Sequence, residues 1–280
     1  MTQSPAPFAY FGAKARLIPY LHNLIPRGEL YIEPFAGSAT ILLSRLSWGD
    51  VEILNDINQY VTCFFRALRD EPDYLIQSLH LTPYGRDTMR EAQEYFKSTD
   101  PLVKLDYLET ARQFFVVNQM SFSGTKRGFR YKLLGSNVAD EFRKKTDRLY
   151  AIAERLSHVI IENLPATRII KKYNSLQTVF YCDPPYLLSS TNFDDMTRVY
   201  QGHSMNEEEH EAMLNVLLQC QGAIVLSGFA HPLYDRLLAG WERVEISLIN
   251  ITNNTEDHGQ QHEVIWRNQR AVDMSPPRLL

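Results

Sequence analysis

The sequence predicts an α/β fold: a mostly parallel sheet, closed by an antiparallel C-terminal hairpin and carrying a mainly helical insert. Three observations predict it. Residues 29 to 57 read as strand, glycine turn, helix and strand, a βαβ unit. Residues 60 to 155 show helical spacing with no strong strand among them. After residue 158 strand and helix patterns alternate again, and the chain finishes with two strands around a polar loop. On this pattern residues 1–59 and 156–270 form one α/β domain, 60–155 an insert and 271–280 a tail.

The elements follow in order. Glu29 to Glu33 is a short apolar strand, Pro34-Phe35-Ala36-Gly37-Ser38 the turn, an apolar helix is expected to run to Trp48, and Val51 to Leu54 is the next strand. In the insert, Phe64, Phe65 and Leu68, then Leu105, Leu108, Phe114 and Phe115, carry the 3.6-residue spacing. Val159-Ile160-Ile161, a helix near Ala166 to Lys172 and the apolar run Thr178 to Cys182 resume the alternation. Asn206 with Glu209 predicts a reciprocal helix cap ahead of Met213, Val216 and Leu217. The buried-looking strand Ala223 to Leu226 follows. Glu245 to Ile251 and His262 to Trp266, joined by the polar loop Asn253 to Gly259, predict the antiparallel closure.

Composition narrows the class. A hydrophobic fraction of 44% and no apolar run near the ~20 residues of a membrane span predict a soluble chain with no membrane partner. Met1 to Phe8 lacks the pattern of a secretory signal, so a cytoplasmic location is expected. Cys63, Cys182 and Cys220, odd in number and without CxxC pairs, argue against disulfides and a zinc site and read as buried small hydrophobes; no metal is expected. Net charge is −4, yet it is unevenly spread. Lys126 to Arg148 holds eight basic and three acidic residues, +5 against −9 elsewhere. Such a stretch suits a polyanion docked on one face, or a solvated helix face.

Ligands of open α/β sheets bind beyond the carboxyl ends of the strands. At the first such end, Gly37 lets backbone approach a ligand, and a following helix would offer free N–H groups to a carboxylate. Alone, this is also what a simple turn looks like. At the next strand end stands Asp56, whose carboxylate can grip a ribose diol, and the pair points to an adenosyl cofactor rather than a dinucleotide, since GxGxxG is missing.

Asp183-Pro184-Pro185-Tyr186 is the strongest signal, expected by chance about once in a thousand chains of this length. The prolines lack N–H donors, so the loop presents acceptors, the Asp183 carboxylate and the Pro184 carbonyl. Two acceptors suit an amino group. Bonds from the protons of adenine N6 would favour a pyramidal nitrogen and expose its lone pair to a sulfonium methyl. The base would have to leave the duplex, and Tyr186 would stack on it. The alternative for Tyr186 is a buried tyrosine bonded through its hydroxyl.

At these residues the sequence resembles the Dam-type DNA adenine methyltransferases, in particular their phage- and prophage-like members, over nearly the whole chain and in the same motif order. The resemblance implies a Rossmann-like S-adenosylmethionine-dependent methyltransferase fold with a target-recognition insert, acting on double-stranded DNA. It leaves open whether a restriction endonuclease is a partner. Tyr10-Phe11-Gly12-Ala13-Lys14 resembles an N-terminal cofactor segment and implies roles for Tyr10 and Lys14. Glu33, Pro34, Phe35, Gly37 and Ser38 fall in the first cofactor motif, with Ala39 at its final glycine. Asp56 matches the ribose-binding acid, and Asp183, Pro184 and Tyr186 the catalytic loop, in which Asp183 also contacts cofactor. Ser227-Gly228-Phe229 and His262 to Asn268 resemble the closing strands. In the insert, Asn118 to Gly124 resembles a recognition segment, with Gln119 where an arginine is usual. This implies Phe122 as a wedge in the duplex, Ser123 beside phosphates or the orphaned base, and Arg127 as a guanine reader. Lys126, Arg130 and Lys132 would meet phosphates.

Two rivals remain at this stage. The same amino-group chemistry serves cytosine N4 or an RNA adenine, although Asp rather than Ser before Pro-Pro favours DNA adenine. A catalytically silent DNA-binding module is the other, and the intact Asp183, Asp56 and Lys14 weigh against it.

Overall fold

The computed structural model describes residues 5–10, 14–98, 105–122, 128–132, 135, 137–187, 204–248 and 261–275. In chain order its helices and strands are α1 (Ile18–Leu24), β1 (Leu30–Glu33), β2 (Val51–Asn55), α2 (Gln59–Asp70), α3 (Pro72–His80), α4 (Arg86–Ser98), α5 (Tyr107–Met120), α6 (Val138–Asp147), α7 (Leu149–Leu156), β3 (Val159–Glu162), α8 (Ala166–Lys172), β4 (Thr178–Cys182), α9 (Glu207–Leu218), β5 (Ala223–Gly228), α10 (Pro232–Leu237), β6 (Glu242–Leu248), β7 (Gln261–Arg267) and α11 (Gln269–Asp273). They fall into two compact units. The first comprises Met1–Ala15, Gly37–Leu46 and Asn58–Asn163; the second comprises Arg16–Ala36, Ser47–Ile57 and Leu164–Leu280.

The second unit holds strands in the order β2-β1-β4-β5-β7-β6. β1 pairs in parallel with β2 and β4, and β4 with β5, whereas β7 runs antiparallel to β5 and β6. All residues of β4 and β5 are buried, the unbroken apolar reading that a strand covered on both faces requires. Ile32, Ile53, Phe180 and Leu226 of the sheet pack in one core with Ile169 of α8 and Leu217 of α9. The Asn206 and Glu209 cap forms as expected: Glu209 N–H donates to Asn206 Oδ1 at 2.9 Å, and Asn206 N–H to Glu209 Oε2 at 2.8 Å. The antiparallel closure also forms, while residues 249–251 and the loop Asn253 to Gly259 lie outside the described residues.

The first unit is helical from α2 to α7, as the periodicity requires. Phe64, Phe65 and Leu68 of α2 and Phe114 and Phe115 of α5 are fully buried. Phe8 stands edge-on to both Phe64 and Phe114 with centroids 5.0 Å apart, which seats the N-terminal segment on this aromatic core. Leu105 falls before α5, because Asp106 caps that helix by accepting from the N–H groups of Leu108 and Glu109.

The helix expected between Gly37 and Trp48 does not form; this stretch makes one 3-10 turn, Leu42–Ser44. Two left-handed residues open it, Gly37 at φ 50° and Ala39 at φ 51°. Ser44 then takes its own turn's carbonyl, Ile41 O, at 2.7 Å. The Arg155 guanidinium, far away in sequence, donates to Leu42 O at 3.0 Å and Arg45 O at 2.7 Å. Carbonyls that would propagate a helix are thus already satisfied. Cys63 and Cys182 are buried as expected, but Cys220 is only partly so, its Sγ facing Val216 O at 3.3 Å. Among the described residues no helix is long and apolar enough to cross a membrane.

Candidate active site

The chain reverses its direction of winding between β1 and β4: β2 lies on one side of β1, and β4, which comes later, on the other. The crevice for a ligand in a sheet of this kind opens at that switch point, beyond the carboxyl ends of the strands. Glu33 ends β1, Asp56 follows β2, and Asp183 to Tyr186 follow β4. In this second unit the topology therefore delivers Glu33, Pro34, Phe35, Asp56, Asp183, Pro184 and Tyr186 to one end of the sheet.

Buried partners fix these groups. Glu33 is buried and accepts from Tyr31 O–H at 2.8 Å. Burial, then the negative charge of Glu33, pushes the Tyr31 hydroxyl well above its ordinary pKa, so it remains a donor. Ser227 on β5 donates to Asp183 Oδ1 at 2.7 Å, and Tyr181 O–H lies 3.2 Å from Ser227 Oγ. Tyr181 is likewise raised, by burial and then by Asp183. Tyr186 donates to Glu263 Oε2 on β7 at 2.7 Å and meets the Phe229 ring edge-on at 4.5 Å. Burial, Asp183 and Glu263, in that order, raise its pKa. Asn55 knits the floor: Nδ2 donates to Pro34 O at 2.8 Å, Oδ1 accepts from Leu164 N–H at 2.9 Å, and its carbonyl accepts from Ala36 N–H at 2.9 Å.

The result is a site of carboxylates whose hydroxyl donors stay protonated. Chemically it offers acceptors and negative potential, suited to hydroxyls, amino groups and a cationic guest. Among the described residues no cluster of three or more His, Cys, Asp and Glu side chains is arranged to hold a metal ion.

In the first unit, a β-carbon on Gly37 would lie 3.1 Å from the Tyr10 ring, so the φ 50° turn and the close tyrosine both favour glycine there. Ser38 is buried and shares a 2.8 Å hydrogen bond with Thr40, and Lys14 is buried as well. Ala39 takes the left-handed conformation for which a glycine would be the natural residue. Phe11 to Ala13 lie outside the described residues. Phe122 is 50% exposed, which separates it from the aromatic core. The segment around it is closed at its base by the Ser121 and Phe129 bridge and by Arg130 N–H to Met120 O at 2.7 Å. Ser123, Lys126 and Arg127 lie outside the described residues. Arg130 and Lys132 both pair with Glu141, at 2.7 and 3.5 Å. Lys145 turns inward, donating to Gln119 Oε1 at 2.6 Å, and burial lowers its pKa to about 8.

Sequence reasoning missed Ser227, Glu263, Tyr31 and Asn55 as site residues. The signal for Glu263 was a carboxylate directly ahead of the apolar run Val264-Ile265-Trp266 in a strand; for the others, only pairing across strands reveals the role.

Fold and site together define a doubly wound nucleotide-type α/β enzyme with an acceptor loop after β4. The model of the D12 class N6 adenine-specific DNA methyltransferases matches residues 10–233. The chain belongs to that family, and its activity is N6 methylation of adenine in DNA. Curated relatives include the Type II methyltransferase M1.LlaDCHI of Lactococcus lactis subsp. cremoris, 23% identical over 81% of this chain and 81% of the relative. The DNA adenine methylase of Vibrio cholerae is 24% identical over 77% and 76% of the two chains, and that of Escherichia coli K12 is 26% identical over 69% of each.

Proposed function

We propose that the chain takes its methyl group from S-adenosylmethionine and delivers it to an adenine flipped out of double-stranded DNA. The carrying observation is Asp183, placed at the switch point with one carboxylate oxygen held by Ser227. When bound, the cofactor supplies an electrophilic methyl on a sulfonium. The donor set fits it: Asp56 is a buried acceptor for a ribose diol, and Glu33 and Asp183 place negative charge where a sulfonium would sit. Pro34 and Phe35 line the same strand end. Tyr10, Lys14, Gly37 and Ser38 are proposed as further cofactor contacts on the resemblance alone.

Asp183 and the Pro184 carbonyl accept hydrogen bonds from the two N–H groups of the adenine amino group and hold its lone pair toward the methyl. Tyr186, with its hydroxyl anchored by Glu263, presents its ring to the base. Phe122 fills the space the adenine leaves, a role its exposure supports. Arg127 reads a guanine beside the target, while Ser123, Lys126, Arg130 and Lys132 bind the backbone. Chemistry thus resides in the α/β unit, and recognition in residues of the 60–155 insert.

The test is a cofactor titration joined to methyl incorporation into matched duplex DNA and RNA. Binding of S-adenosylmethionine and N6-methyladenine in the duplex alone are expected. Equal labelling of RNA, or no binding, would refute the proposal.

A further inference from the structure

The carboxylate that opens the loop after β4 stands at the end of a hydrogen-bonded chain whose far member has no role above. Alternation along β4 puts Tyr181 and Asp183 on one face of the sheet. The parallel register pairs Tyr181 with Val225 of β5, so two residues further on Ser227 comes level with Asp183 on that same face. Ser227 is fully buried and Tyr181 nearly so. Ser227 Oγ lies 2.7 Å from Asp183 Oδ1, 3.2 Å from the Tyr181 hydroxyl oxygen and 3.4 Å from the Cys182 carbonyl oxygen.

A single hydroxyl hydrogen on Ser227 has to serve these contacts, and that sets their direction. A carboxylate only accepts, and its separation is the shortest of the three, so the Ser227 hydrogen points at Asp183 Oδ1. Were it turned to Tyr181, lone pairs of Ser227 and Asp183 would face each other at 2.7 Å. Tyr181 is then the donor to Ser227 Oγ, and burial keeps its hydroxyl protonated.

A carboxylate turns about its side-chain bonds unless an oxygen is held. Pro184 and Pro185 carry no N–H that could hold it from within the loop. The Ser227 hydroxyl holds it from β5, and Tyr181 in turn fixes the direction of that hydroxyl. We propose that Tyr181 and Ser227 are positioning residues for methyl transfer: together they keep the Asp183 carboxylate in the orientation that meets the adenine amino group. The inference rests on reading Asp183 as an acceptor of that amino group.

The test is a double-mutant cycle of Ser227→Ala and Tyr181→Phe, with Ser227→Thr beside it. The readouts are single-turnover methyl transfer to duplex DNA at saturating S-adenosylmethionine, duplex affinity and melting temperature. A small misplacement of a reacting group can cost about 100-fold in rate, so Ser227→Ala should lose roughly 10- to 100-fold, with duplex affinity within about twofold. Ser227→Thr, which keeps the hydroxyl, should recover most of that loss. Tyr181→Phe acts one bond further away. It should lose about 3- to 10-fold alone and under about twofold once Ser227→Ala is present, because members of one hydrogen-bond network are not additive. Wild-type turnover in Ser227→Ala, equal impairment in a folded Ser227→Thr, or a Tyr181→Phe loss of the same size in both backgrounds overturns the inference. Should the extra methyl of Ser227→Thr prevent folding, the cycle alone decides. Asp183→Ala separates the two levels, because full turnover there would break the parent reading, whereas a dead Asp183→Ala beside a normal Ser227→Ala would break this inference only.

Discussion

The loop after β4 and the segment after α5 both carry polar and aromatic side chains, and they hold them in opposite ways. Around the first, Ser227 on the neighbouring β5 fixes Asp183 and Glu263 on β7, one strand further, fixes Tyr186, each at 2.7 Å. Around the second, Phe122 stands half exposed, and Arg130 and Lys132 share one partner, Glu141. Chemistry demands groups already in place when charge moves, because reorganising them would add to the barrier. Recognition of a polyanion instead lets basic residues exchange an internal carboxylate for phosphate, releasing counterions as they do.

The contrast can be broken most forcefully at Asp183. Asp183→Ala removes one acceptor and should cost about 10²–10³-fold in single-turnover rate with folding intact. Near-wild-type turnover would show that the fixed network is architectural only. Asp56→Ala should act on binding instead, weakening S-adenosylmethionine by about 1.5–3 kcal/mol in a calorimetric titration, the usual worth of a charged hydrogen bond. A dissociation constant that does not move would take Asp56 away from the ribose. Glu141→Gln should tighten DNA binding a few-fold at low salt, and steepen the dependence of log affinity on log salt by up to about 0.9 for each cation released to a phosphate. If affinity and slope both stay put, Arg130 and Lys132 do not serve DNA.

The last effect concerns pH. His210 titrates near 6.5 in an unfolded chain and near about 4 when folded, so the unfolded chain binds the extra proton and stability falls as pH drops across that window. Lys145, at about 8 folded against 10.5 unfolded, follows the same sign: stability rises with pH between those values and gains nothing from this group below them. Urea titrations should show each slope flattened, by His210→Gln in the first window and by Lys145→Met in the second. Unchanged slopes would mean that neither burial is felt.

What the sequence made legible follows a physical divide. β4 spans Thr178–Cys182 and α8 Ala166–Lys172, as local patterning alone demands. The cap at Asn206 is legible because both partners lie three residues apart. The lost helix after Gly37 is different, because Arg155 satisfies its carbonyls from more than a hundred residues away. The site divides in the same way. Asp183 and Asp56 are marked by where their strands end, whereas Ser227 and Glu263 gain their roles only when β5 and β7 are brought beside the loop. Gln119 is the subtler case: the cation it receives, Lys145, comes from another helix and is not marked by local patterning.

The division of labour between the two regions is tested most directly by methylation rates of Asp183→Ala and Arg127→Ala over one library of duplex sequences. Asp183→Ala should slow every sequence alike and leave their ranking unchanged. Arg127→Ala should re-rank them, losing about 1–3 kcal/mol of discrimination at one base pair. Uniform slowing by both variants, with the ranking intact in each, would contradict the account.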